Sequence, residues 1–191
     1  MTELRGYTDQ LSYQAGDVIK LHISTDQVEC PLEIVRLGLN EEKVWPPDGT
    51  RSPDFPKGQY ELNIDESTGG ACNWPVAIEI PVPVDWKTGY YRVNGPDVED
   101  SSEIFFVVRN SDVDRSANIL LVLCTNTYNA YNRRFIRASN GDALPASGNI
   151  YPLGDLYWHR VSFNRPLEKY YGAGVPVVEG LTEGASFYRW E

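Results

Sequence analysis

Apolar and polar positions alternate along the chain as far as about residue 110, and beyond it they do not. Ile19, Leu21 and Ile23 fall on one side of a strand, with Lys20, His22 and Ser24 on the other. That is the pattern of an antiparallel strand with one face buried, and it predicts His22 as a rim or surface residue. Leu32, Ile34, Val35 and Leu37 predict a second strand, ended by Gly38. Val76, Ile78, Ile80, Val82 and Val84 alternate with Ala77, Glu79, Pro81 and Pro83. Two prolines on one side remove ladder donors, so this strand belongs at a sheet edge or bulge. Asp85 to Gly89 turns the chain into Tyr90 to Asn94. Glu103 to Arg109 then supplies a last strand, with Ile104, Phe106 and Val108 set against Phe105 and Val107. Tyr13 to Asp17 reads as a turn in which Gly16 supplies a backbone angle that a bulkier residue resists. Residues 40–58, centred on Trp45-Pro-Pro-Asp-Gly49, predict a long lid or interface loop. Trp45, Trp74 and Trp86 are expected in the core or an interface. Short alternating strands with frequent turns predict an immunoglobulin-like β-sandwich over 1–112.

After the polar stretch Asn110 to Ser116 the pattern changes to Ile119-Leu-Leu-Val-Leu-Cys124, an unbroken apolar run. Such a run predicts a strand buried on both faces, as in a parallel sheet flanked by helices, with Cys124 behaving as a small apolar residue. One buried strand cannot make a sheet, because neighbours must cover both its edges. Residues 113–191 are therefore expected to begin an α/β domain that another polypeptide completes. The segment leaving the strand, Thr125 to Asn132, turns abruptly polar and aromatic. In open α/β sheets the loops beyond the strands' carboxyl ends line the ligand crevice, which makes this segment the leading site candidate. The competing reading is a loop whose hydroxyls, Thr125 to Thr127, cap the following helix and whose tyrosines are packed.

Charge narrows the partners. The formal net charge is −10, against the clustered Lys and Arg that nucleic acids or anionic membranes require. No apolar run approaches the ~18 residues of a membrane-spanning helix, and the first residues lack the design of a secretory signal. The three cysteines, Cys30, Cys72 and Cys124, form no C-x-x-C pair, and the two histidines, His22 and His159, lie far apart. Neither a disulfide framework nor a zinc site is indicated, and a reducing cytoplasm is expected.

Several stretches resemble the large (β) subunit family of N,N-dimethylformamidase, here its N-terminal portion. They are Gly6 to Ser12 with Ala15-Gly-Asp17, Ile34 to Leu37, Val84 to Arg92, Phe105 to Arg109, Leu120 to Asn132 and Val161-Ser-Phe-Asn-Arg-Pro166. Asn126-Thr-Tyr-Asn-Ala-Tyr-Asn132 is the most specific of them. The resemblance implies a β-sandwich beside a glutamine-amidotransferase-like α/β domain, and hydrolysis of a small amide C–N bond. It also implies a mononuclear Fe(III) held by tyrosines and a glutamate, acting as a Lewis acid on the carbonyl and on a bound water. The family's lectin-like insertion has no room here, and its later carboxylate ligand is not expected in these residues.

On that resemblance Tyr131, in the Ala-Tyr-Asn of the motif, is the first candidate iron ligand. Tyr171, or its neighbour Tyr170 beside Gly172-Ala-Gly174, is the second. Asn126 and His159 are candidate catalytic residues, His159 as general base. Thr125, Asn132 and Tyr157 are candidate substrate-binding residues. Each has a structural alternative: a packed tyrosine, a helix cap or a core-rim histidine. The implied partners are a small amide and a second polypeptide in a hetero-oligomer. Two other readings are a non-catalytic subunit whose sandwich docks a catalytic chain, and a free-standing carbohydrate-binding sandwich.

Overall fold

The structure is a computed structural model that describes residues 3–38, 40–62, 66–96, 98, 100–109, 122–132 and 161–168. It is mainly β. One five-stranded sheet has the order β10-β8-β1-β3-β6, made of β1 (Glu3–Thr8), β3 (Val18–Thr25), β6 (Ile78–Pro81), β8 (Asp100–Glu103) and β10 (Leu167–Glu168). The other has the order β2-β9-β7-β4-β5, made of β2 (Ser12–Tyr13), β4 (Glu33–Leu37), β5 (Glu42–Trp45), β7 (Gly89–Asn94) and β9 (Phe105–Val108). One core contains residues of both sheets: Ile19, Leu21 and Ile80 of the first, with Ile34, Tyr91 and Phe106 of the second. The expected sandwich is therefore present.

The strand pairing resembles that of an immunoglobulin sandwich, with β1 in the middle of the first sheet and β2 at the edge of the second. β1 pairs antiparallel with β3, while β2 runs parallel to β9 on the opposite sheet. Tyr91 supplies a second mark of that fold. It is fully buried in β7 and its hydroxyl donates to the carbonyl of Lys87, four residues back, at 2.5 Å. A tyrosine bonding a few residues upstream near the start of this strand is the corner that immunoglobulin sandwiches use.

Alternation predicted most of these strands, and where it failed the chain changes sheets or leaves one. Ile19, Leu21 and Ile23 are buried, and His22 sits half-buried at the rim, stacked on Tyr7 with ring centroids 4.7 Å apart. Gly16 takes φ +89 in the predicted turn. The proline-bearing strand is the edge of its sheet, as expected. It is shorter than the alternation suggested, however, since only Ile78–Pro81 pair, and Val76 and Val84 are exposed. Glu103 to Arg109 is two strands rather than one. β8 lies in the first sheet and β9 in the second, so the chain crosses between layers at Ile104, which is buried in the core. The loop predicted over 40–58 contains β5, which pairs with β4. Trp74 is buried, and Trp45 and Trp86 pack against the core from its margin.

Only the end of the apolar run, residues 122–124, is described. These residues belong to no strand; Val122 is 71% exposed and Cys124 is exposed. A continuous apolar run specifies a doubly buried strand only where neighbours cover it; of the described part, Leu123 packs on Tyr90 and Phe105. The polar segment after it is not a loop but a helix, α1 (Thr125–Tyr131). Cys124 occupies its N-cap position without a side-chain cap bond, so Thr125 to Thr127 do not serve as caps. Between 113 and 191 the described residues give α1 and β10, and β10 extends a sandwich sheet by pairing with β8. The α/β domain expected there otherwise lies outside the described residues. No described helix is long and apolar enough to cross a membrane.

Candidate functional site

Successive residues of a strand face opposite ways, so a strand with Tyr91 and Val93 in the core turns Tyr90 outward. Tyr90 is nevertheless only 5% exposed, as is Phe105 of the neighbouring β9. Their rings stack with centroids 5.0 Å apart. Leu123 and Tyr128 from the α1 region and Leu167 of β10 cover the pair, with Leu11 and Leu37 at the sides. This patch of the second sheet is buried on both faces, which accounts for the consecutive apolar residues Phe105 and Phe106.

α1 needs such support. Seven residues are well below the ~12–15 at which an isolated helix becomes even marginal in water. Asn, Thr and Tyr are also indifferent helix formers, and α1 has no acidic residue in its first turn and no basic one in its last. Its stability comes from the sheet beneath it and from residues 161–168 beside it. Arg165, 5% exposed, donates from Nη2 to the Asn129 carbonyl at 2.8 Å and to Asn129 Oδ1 at 3.1 Å. Its Nε donates to Asn129 Oδ1 and to the Ser162 carbonyl, both at 3.2 Å. Asn129 Nδ2 donates to the Val161 carbonyl at 3.2 Å, and Asn132 Nδ2 to the Pro166 carbonyl at 2.9 Å. Two further bonds tie the turn to the sandwich, Ser162 N to Gly69 O at 2.8 Å and Cys72 N to Asn164 O at 2.7 Å. The segments Asn126 to Asn132 and Val161 to Pro166, far apart in sequence, are thus one hydrogen-bonded unit.

The electrostatics of the unit follow from burial. Desolvation lowers the Arg165 pKa to about 10, which leaves the guanidinium charged at neutral pH although all its acceptors are neutral oxygens. Burial likewise raises the Tyr90 phenol far above its usual range, and the charge of Glu103 pushes the same way. Glu103 is close enough to be felt, and among the described residues no partner meets hydrogen-bond geometry at the buried Tyr90 hydroxyl. Glu103 and Arg165 also line a recess of about 20 Å³, room for a single water-sized group.

Of the residues predicted for the site, α1 carries Thr125, half-buried, Asn126, exposed, and Tyr131. Asn132 follows it, fully buried and engaged with Pro166. His159, Tyr157, Tyr170 and Tyr171 lie outside the described residues. Among the described residues no three His, Cys, Asp or Glu side chains gather as a metal cluster. The polar groups that do gather under α1 are Tyr90, Tyr128 and Glu103. Of the candidate iron ligands only Tyr131, carried by α1, belongs to a described element, and a phenol oxygen is a hard donor of the kind ferric iron takes. Sequence reasoning missed Arg165, Asn129 and Tyr90. The available signal for Tyr90 was a strand whose outward neighbour, Phe105, is also aromatic. For Arg165 it was a lone guanidinium between Asn164 and Pro166 in an otherwise apolar and amide-rich turn.

Residues 32–190 match the family described as N,N-dimethylformamidase beta subunit-like, C-terminal. The match begins just before β4, inside the sandwich, and takes in both segments of the hydrogen-bonded unit. No curated protein matches the chain.

Proposed function

The chain belongs to the N,N-dimethylformamidase beta subunit-like family, and from that membership we propose that it is a component of an iron-dependent amidohydrolase. Its substrate is a small linear amide, cleaved at the C–N bond by metal-activated water. The observation that carries the reading is the union of the two family-like segments, Asn126 to Asn132 and Val161 to Pro166, against the sandwich. A hydrogen-bonded unit built around a buried guanidinium held by neutral oxygens is costly to assemble, and such cost is typical of sites.

In this proposal Tyr131 and Tyr171 hold the iron as phenolates, within an amidotransferase-like α/β domain that begins near residue 113. The iron supplies a Lewis acid that polarises the amide carbonyl and lowers the pKa of water. Asn126, exposed on α1, offers both an amide donor and an acceptor to orient the substrate. Thr125, Tyr157 and Asn132 shape its surroundings, Asn132 through the backbone it fixes at Pro166. His159 accepts the proton released as water adds to the carbonyl. A second polypeptide shares the assembly, as the word subunit in the family description suggests. Cys30, Cys72 and Cys124 form no disulfide, which suits a reducing cytoplasm.

The test is turnover. The native complex should release amine from dimethylformamide or a related small amide, lose that activity on iron chelation, and regain it when iron is restored. Turnover indifferent to iron removal would overturn the metal assignment. An assembly with no amide hydrolysis at all would favour a non-catalytic docking subunit.

A further inference from the structure

We propose that Arg165 is a positioning residue: it caps the carboxyl end of α1 from outside the helix and thereby fixes the side chains that α1 presents. The inference rests on the functional reading above only for what those side chains do; the capping itself stands on geometry. A helix leaves its last carbonyls without intrahelical donors, and a cation there both bonds them and complements the helix dipole. α1 has no basic residue in its own last turn, and Asn129, whose carbonyl needs a donor, lies two residues before its end. Arg165 supplies that donor at 2.8 Å and grips the Asn129 side chain in the same grasp. The Asn132 amide adds only a long bond to the same carbonyl, at 3.4 Å.

The chemistry calls for arginine. The guanidinium reaches the Asn129 carbonyl, Asn129 Oδ1 and the Ser162 carbonyl from one rigid plane. A lysine ammonium is a point charge on a flexible stem and cannot hold all three acceptors at once. With Asn129 Nδ2 committed to the Val161 carbonyl, the amide cannot turn to compensate. Losing Arg165 leaves buried acceptors without donors and removes the cap from a helix too short to persist alone.

Hydrogen exchange of the full chain in its native assembly decides the capping. In Arg165→Met, amides of Tyr128 to Asn132 should exchange about tenfold to a hundredfold faster, as loss of a cap and a buried bond implies. Amides of β3 and β7 should keep their protection, and Arg51→Met, an exposed arginine, should change neither. Arg165→Lys should recover little, whereas added guanidinium ion should restore protection to Arg165→Ala by filling the vacated site. Unchanged exchange at Tyr128 to Asn132 in Arg165→Met would overturn the proposal, as would full recovery by lysine. Should a variant fail to fold, guanidinium rescue of folding in Arg165→Ala supports the cap, and failure of that rescue counts against it. The functional link is read separately, as a kcat loss at nearly constant KM that guanidinium reverses. A wild-type assembly without amide turnover would refute the functional reading while exchange still decides the cap.

Discussion

Phe105→Ala asks whether α1 and residues 161–168 truly cover the outer face of the second sheet. By strand alternation Phe105 points away from the sandwich core, so on an uncovered sheet it would be a surface residue. Removing a surface side chain changes stability by at most about 0.5 kcal/mol. Here Phe105 is 5% exposed, stacked on Tyr90 at 5.0 Å, and roofed by Leu123, Tyr128 and Leu167. Truncating a buried phenylalanine to alanine costs about 3–5 kcal/mol. The expected loss therefore sits at the scale of Phe106→Ala, in the inner core, rather than near zero. With an m-value of roughly 2 kcal/mol per molar urea, the midpoint should fall by about 2 M. Urea titration of the purified chain, followed by tryptophan fluorescence and far-UV circular dichroism, measures it. A Phe105→Ala midpoint within about 0.3 M of wild type would refute the packing of α1 on this face, and with it the geometry of the site.

Tyr91→Phe removes one buried hydroxyl and leaves the Lys87 carbonyl without its donor. It should cost about 1–2 kcal/mol and lower Tm by about 3–8 °C, measured by calorimetry; an unchanged Tm would deny the tyrosine corner its stabilising part. Stability should also fall as pH rises above 10. Burial raises Tyr7 and Tyr91 to about 12, and Tyr13 and Tyr90 further, all from a usual value of 10.0. A phenol whose folded pKa exceeds its unfolded value contributes stability that is complete below pH 10 and lost as pH climbs toward the folded value. Arg165, lowered to about 10, acts in the opposite sense over the same window, but as one group against four. Ultraviolet titration of tyrosine alongside denaturation at pH 9, 10 and 11 checks this. Normal titration of every tyrosine in the folded state would contradict it.

The strands were legible because each face of the sandwich has a simple environment: core within, water or a neighbour without. Ile19, Leu21 and Ile23 announced themselves in that way, as did the edge placed by Pro81 and Pro83. Alternation carries no mark of a change of sheet, so the crossing at Ile104 read as one continuous strand. Neither does it show β5, whose place depends on pairing with β4 rather than on its own pattern. Of the run before Cys124 only residues 122–124 are described, and an apolar sequence reports that burial is wanted, not which element provides it. Site legibility followed the same division. The segment Asn126 to Asn132 stood out by composition, but its being a helix could not be read from Asn, Thr and Tyr around a single Ala. Its cause lies in Arg165, thirty-six residues from Asn129, and in the outward ring of Tyr90. Contacts of that range leave almost no local trace.

The most direct test of the account is metal analysis of the assembly co-purified with this chain, wild type against Tyr131→Phe. The account predicts iron in the wild type with a visible phenolate-to-iron absorbance band, and loss of both the band and most of the iron in the variant. Unchanged iron content, colour and amide turnover in Tyr131→Phe would contradict it.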